Sequence, residues 1–237
     1  MNHAGTNSLR LLSNQPFFAP LRRLFLKTIE HTLHMQLVPL EINDDQAVEK
    51  LIRQVSNETD MLLSDLEAAQ IYRLVRALRE VEGEMAEVGV YRGASSRIIR
   101  EAEPVKPFHL FDTFEGLPKT SAKDQTFSEG LYRSSIQDVQ GYLGRYKNLH
   151  FHPGLFPGTT SPVANARFSF VHLDVDLYES TLSGLEFFWP RLVPRGVILS
   201  HDYSTSPGVH AAFAEFFSSR VPVFPLSHSQ CLVVKPS

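Results

Sequence analysis

The chain has 237 residues, which at roughly 150 per domain predicts one domain with or without an appendage. A formal net charge of −3 offers no electrostatic footprint for nucleic acid, and 43% hydrophobic residues suffice for a core without disulfide or metal staples. The single cysteine, Cys231, predicts a reducing compartment, no apolar run reaches the ~20 residues that span a bilayer, and Arg22 and Arg23 interrupt the early stretch a signal peptide would need. The expectation is a soluble cytoplasmic protein with no nucleic-acid partner and no stable membrane insertion.

Residues 1–16 are polar and aperiodic and read as a loose terminus. From Pro20, the residues Leu21, Leu24, Phe25, Ile29 and Leu33 recur at helical spacing, with Arg22, Arg23 and Lys27 off that face. This predicts a helix docked on its own domain or on a second subunit rather than one lying on a membrane. A second helix is expected from about Ser64 to Val81, opened by the capping-box spacing of Ser64 and Glu67 and ended by Gly83.

Beyond Gly83, short apolar runs alternate with helical stretches, the mark of βαβ units and a parallel sheet. The expected strands are Met85–Val90, Phe108–Asp112, Leu149–His152, Phe168–Asp174 and Val197–Ser200, with helices near Ala94–Glu101, Ser135–Arg145, Thr181–Leu192 and Val209–Arg220. Two last runs, Val221–Leu226 and Cys231–Val234, can pair as an antiparallel hairpin at the sheet edge. The fold class is therefore α/β, a doubly wound, mostly parallel seven-stranded sheet of Rossmann-like type with an N-terminal helical extension.

Ligands of open α/β sheets sit beyond the carboxyl ends of the strands, at the switch point. After strand one come Gly89 and Gly93, which let a backbone approach a ligand, and Ser95 with Ser96 at a helix N-terminus. A tight strand–helix turn explains these glycines equally well. Asp112 ends strand two, where a carboxylate can accept both ribose hydroxyls of a nucleoside, or can cap the turn of F-D-T-F-E-G-L-P. Strand four ends in Asp174 and Asp176, and strand five in His201 and Asp202. Strand alternation could put Asp174 and Asp176 on one side. Asp174, Asp202 and His201 could surround one divalent ion with Asp176 outside the ligand set. Oxygen donors suit Mg²⁺ or Ca²⁺, and an imidazole moves the preference toward Mn²⁺, Fe²⁺ or Zn²⁺. The bland alternative makes these acids turn and helix caps, with Asp176 or Ser180 as an N-cap. His109 and His172 fall inside strands and read as hydrogen-bonded core; Phe213, Phe216, Phe217 and Trp189 read as packing.

The segments E-V-G-V-Y-R-G-A-S, F-D-T-F-E-G-L-P, G-L-F-P-G-T, L-D-V-D-L-Y-E-S-T, W-P-R-L-V-P-R-G-V and H-D-Y occur in that order. Together they resemble the macrocin O-methyltransferase family of class I S-adenosylmethionine-dependent enzymes, several of which methylate sugar hydroxyls on natural products. The resemblance runs from roughly Thr59 to Phe217, and divides the chain into an extension over 1–58, serving as lid or oligomer contact, and a methyltransferase domain over 59–237. It implies that Glu87, Gly89, Tyr91, Gly93 and Ser95 form the cofactor turn, that Asp112 holds the ribose with Thr113 and Phe114 beside it, and that Gly154, Phe156 and Asp174 lie near the cofactor or acceptor. It further implies that Asp174 and the pair His201/Asp202 hold Mg²⁺ and that Asp176 is the base. The family pattern has an acid where His201 stands. The spacing from Asp174 keeps the family register without a gap, so the change is at the position itself, and it removes one charge and one oxygen donor. Two alternatives stay open: a metal-independent O-methyltransferase with His201 as general base, and a nicotinamide-dependent oxidoreductase, although G-x-G-x-x-G is missing. The expected partners are a small-molecule or glycan acceptor and a second copy of the chain, in a homo-oligomer.

Overall fold

In a computed structural model the described residues are 46–124, 126–218 and 220–237. The helix expected from Pro20 and the loose terminus lie outside them. The first described element, α1 (Gln46–Glu58), was not among the expected ones, although Val48, Ile52 and Val55 recur at helical spacing and all three are buried.

Helix α2 (Asp65–Ala77) begins at the expected cap: Ser64 Oγ accepts from Glu67 N, and Glu67 accepts from Ser64 N at 3.0 Å. It stops at Ala77, with Leu78 as C-cap, well short of Gly83. Gly83 serves the next strand instead. Its φ is +123°, and a Cβ there would come within 2.8 Å of Ser169 N on the neighbouring strand.

The sheet elements follow as β1 (Glu84–Val88), α3 (Ala94–Ala102), β2 (Phe108–Asp112), α4 (Ile136–Leu143), β3 (Leu149–Pro153), β4 (Phe168–Leu173), α5 (Tyr178–Phe188), β5 (Leu192–Ser200), α6 (Pro207–Phe217), β6 (Phe224–Pro225) and β7 (Cys231–Val234). Seven strands lie in the order β3-β2-β1-β4-β5-β7-β6. The first five pair in parallel, and β7 runs antiparallel between β5 and β6. Strand five starts five residues earlier than expected. The W-P-R turn at 189–191 ends α5, and Arg195, with φ +67°, lies where the register with β4 shifts.

Alternation along β1 divides the molecule into two faces. Ala86 and Val88 join a core with Phe111, Leu173, Leu185, Phe188 and Phe213, on the side of α5 and α6. Glu87 points the other way and meets Ser96 of α3. All six residues of β4 are buried, as a central parallel strand requires. Burying each large apolar side chain contributes roughly 1.5–3 kcal/mol. Phe213 and Phe217 are core, Phe216 and Trp189 pack against it, and His109 and His172 are buried in their strands, all as expected.

Candidate functional site

The sheet's hydrogen-bond ladder continues one residue past the strand ends. Gly154 N donates to Asp112 O, Gly89 N to Phe111 O, Asp174 N to Val88 O and His201 N to Leu173 O, each at 2.9 Å. Asp112, Gly89, Asp174 and His201 therefore stand side by side along the carboxyl edge. The strand order turns back between β1 and β4, so Gly89 and Asp174 occupy the switch point. Gly89 has φ +89°, and a Cβ on it would fall 1.8 Å from Asp174 O. The two strand ends can meet only because this residue has no side chain.

A cleft of about 390 Å³ opens over this row. It is lined by Gly89, Tyr91, Ser95, Asp112, Thr113, Gly154, Phe156, Asp174, Asp176, His201 and Asp202, among others. Ser95 lies in the first turn of α3, whose N-cap, Gly93, makes no side-chain capping bond, so that end presents free N–H groups. Three of the expected cofactor residues, two from the turn and one beside Asp112, do not line the cleft. Glu87 is 0% exposed, with Oε1 on His172 Nδ1 at 2.9 Å and Oε2 accepting from Ser96 Oγ. Gly93 faces Leu143, and Phe114 is buried.

Asp112 does what a turn cap does, and more. Oδ2 accepts from Val90 N at 2.7 Å and Tyr91 N at 2.9 Å, and Oδ1 accepts from Phe114 N at 2.7 Å. A carboxylate offers about four acceptor positions, so Oδ1 keeps capacity for a hydroxyl. Tyr91 (φ +48°), Phe114 (+58°), Asp176 (+60°) and Asp202 (+58°) all hold left-handed backbone at the strand ends, a conformation a non-glycine residue keeps only where its surroundings enforce it.

The acidic residues converge by a turn and not by strand alternation, because β4 ends at Leu173. Neither Asp176 nor Ser180 caps α5. Leu177 is its N-cap, and buried Asp124 accepts from Tyr178 N at 2.8 Å from across the fold. The Asp176 side chain is thereby left free for the cleft. Donor atoms of Asp174, His201 and Asp202 all lie within 4.8 Å of one another. His201 Nδ1 stands 2.8 Å from Asp202 Oδ2 and 3.4 Å from Asp174 Oδ1, separations of adjacent ligands around one ion. The mixed oxygen and nitrogen set fits a divalent cation.

Charge is concentrated here. Burial, together with the Asp174 and Asp202 carboxylates, pushes the Asp176 carboxyl up to about 9. Burial works against a charged His201, but Asp174, Asp202 and Glu67 outweigh it and raise the imidazole far above its usual range. Burial likewise opposes ionisation of Asp202, and His201 outweighs it, holding that carboxyl low. His201 thus stands among carboxylates on both edges of its ring.

Further lining residues were not singled out one by one in the sequence, although Leu117 and Pro118 close the F-D-T-F-E-G-L-P segment. Asp60, Leu62 and Leu63 come from the α1–α2 connection, and Leu117, Pro118, Phe127 and Tyr132 from the long loop before α4. Burial and the three site aspartates raise the Tyr132 hydroxyl above its ordinary value. Among the described residues, no helix is long and apolar enough to cross a membrane.

The model of the macrocin O-methyltransferase family (TylF) matches residues 62–230. The 8-demethyl-8-(2,3-dimethoxy-alpha-L-rhamnosyl)-tetracenomycin-C 4'-O-methyltransferase of Streptomyces olivaceus is 30% identical over 141 residues, covering 52% of this chain and 54% of that protein. Demethyldecarbamoylnovobiocin O-methyltransferase of Streptomyces niveus is 26% identical over 153 residues, covering 57% of this chain and 58% of that protein. The chain thus spans about half the length of the curated relatives it matches. Among solved structures, the O-methyltransferase NovP is similar with a TM-score of 0.67 at 20% identity, over 91% of this chain and 98% of that one. The calicheamicin methyltransferase CalS11 is similar with a TM-score of 0.60 at 17% identity, over 81% and 94%. At such identities the structural likeness is one of fold.

Proposed function

From the premise that the chain belongs to the macrocin O-methyltransferase family, we propose that it methylates a hydroxyl of a sugar or glycosylated natural product, using S-adenosylmethionine and a divalent cation. The observation that carries the reading is the row of Asp112, Gly89, Asp174 and His201 at the switch point, with Asp176 beside it. A rhamnose-bearing molecule in the name of one relative supports a sugar acceptor.

S-adenosylmethionine, when bound, supplies a methyl group on a sulfonium. The chain's part is to hold and align. Gly89 admits the ligand to the backbone, the free N–H groups at the start of α3 suit a carboxylate, and Asp112 Oδ1 has room for a ribose hydroxyl. A divalent cation, Mg²⁺ in the family pattern, would be held by Asp174, His201 and Asp202 and would lower the pKa of a nearby hydroxyl. Asp176, in the same cleft, would be placed to accept the hydroxyl proton, an effect typically worth ~10²–10⁴-fold. A cation held there would also favour the ionised form of Asp176, whose carboxyl burial and the neighbouring acids push up to about 9. His201 suits the role of base less well, because both of its ring nitrogens face carboxylates. Family membership also favours methyl transfer over nicotinamide-dependent oxidoreduction.

The reading includes a cytoplasmic location, supported by the lone buried cysteine Cys231, and a homo-oligomer in which residues 1–58 serve as lid or contact. Calorimetric titration of S-adenosylmethionine into purified protein tests it. One site per chain is expected, and no binding would overturn it. Sedimentation at several concentrations tests the oligomer.

A further inference from the structure

Glu67 matched a capping box in the sequence, yet a capping box needs only one of its oxygens. Oε2 performs that task, accepting from Ser64 N at 3.0 Å and Ser64 Oγ at 2.7 Å. Oε1 accepts from Ser229 N at 3.1 Å and Ser229 Oγ at 2.7 Å, in the turn between β6 and β7. It also lies 3.3 Å from His201 Nε2, itself a fully buried atom bent out of line for an ideal hydrogen bond. Glu67 is only 4% exposed, and four donors from two distant segments fix its carboxylate in place. Three parts of the chain converge on it: the start of α2, the last hairpin and the end of β5.

We infer that Glu67 is a positioning residue for His201, holding the Nε2 edge of the ring so that Nδ1 faces Asp174 and Asp202. This rests on the proposed cation site. A carboxylate behind a ligating imidazole fixes which nitrogen carries the proton and which offers its lone pair. With the proton on Nε2, on the Glu67 side of the ring, the Nδ1 lone pair would be available beside the two aspartate oxygens. The chain thereby presents a nitrogen donor where its family pattern has an acid, and the site's preference moves from Mg²⁺ toward metals that favour nitrogen. Glu67 and His201 form one functional unit: the acid displaced from the ligand position is replaced by an imidazole with an acid behind it.

The test uses the full chain, stripped by chelation and titrated separately with Co²⁺ and Mg²⁺ by calorimetry, with the visible absorption of bound Co²⁺ as a second readout. Wild type is expected to favour Co²⁺. In Glu67→Gln the Co²⁺ affinity should drop ~10–100-fold, the usual cost of losing an outer carboxylate, and Mg²⁺ affinity less, so that the Co²⁺-to-Mg²⁺ ratio falls and the Co²⁺ spectrum changes. Because Glu67 also anchors α2, Glu67→Asp is a second variant that keeps the charge but withdraws it from Nε2; it should lower the ratio in the same direction. His201→Asp should abolish the preference, and adding Glu67→Gln to it should leave the ratio where it is. An unchanged ratio and spectrum in both Glu67 variants would overturn the inference, as would an equal Glu67 effect in the His201→Asp background. A wild type that binds neither ion would remove the cation reading as well, which separates the two failures.

Discussion

On the β1–β2 side of the cleft, Asp112 spends its oxygens on the backbone N–H groups of Val90, Tyr91 and Phe114, and the glycine turn is held shut by bonds of 2.7–2.9 Å. On the β4–β5 side, Asp174, Asp176 and Asp202 face one another across a single imidazole. The turn on the first side is fixed before any ligand arrives. The second keeps a surplus of negative charge that only protons or a cation can relieve. Like charges so arranged cost stability, and they persist where a bound partner makes use of them. On the proposed reading, the cofactor side is a matter of shape and the acceptor side a matter of charge.

Changing the shape should have the largest effect. Gly89→Ala would drive a methyl group into Asp174 O and separate the strand ends. Displacement of a site by about 1 Å can cost ~10²-fold in rate, so turnover should fall at least that far, and binding of S-adenosylmethionine by calorimetry should weaken with it. Removing the proposed base should touch the other side alone. In Asp176→Asn, kcat should fall ~10²–10⁴-fold while the Kd for S-adenosylmethionine stays the same. Its ion-free melting temperature should hold or rise, since the amide resembles a carboxyl that is already protonated. A parallel loss of cofactor affinity would blur the division between the two sides.

A smaller effect is expected from Asp112→Ala, which leaves three N–H groups of the turn without their acceptor. Each unsatisfied group costs about 1–3 kcal/mol when buried and less where water reaches it, so a lower melting temperature and weaker cofactor binding should appear together. The smallest lies away from the cleft. Burial, with His109 and His150 nearby, lowers His152 from 6.5 to about 4. The unfolded chain therefore takes up a proton as pH falls from about 6.5 to about 4 and the folded chain does not, so stability should decline through that window. His152→Asn should flatten the decline by up to about one proton per molecule, read from melting temperature against pH.

Much of the sheet was legible because apolar runs, glycines and caps act locally. Phe108–Asp112 and Cys231–Val234 fall within the bounds expected, and Ser64 caps α2 as its spacing requires. What escaped depends on contacts distant in sequence. Asp124 caps α5 from another loop, so nothing near Asp176 announced where that helix begins. Glu87 reads as a cleft residue from its place in the motif, yet the period of two turns it inward to His172. The convergence of Asp174 and Asp176 arises from a left-handed turn at Asp176 that no pattern of alternation contains. Glu67 shows its cap in the sequence but not its second neighbour, because His201 approaches only when β5 lies beside β4.

The decisive measurement is mass spectrometry of a glycoside and polyol panel incubated with the protein and methyl-labelled S-adenosylmethionine, with EDTA and without. The expected result is labelled methyl on a sugar hydroxyl, greatly reduced by EDTA and restored by added divalent ion. Labelled product that forms equally well in EDTA would contradict the role given to Asp174, His201 and Asp202, and label found on nitrogen or carbon alone would contradict hydroxyl transfer itself.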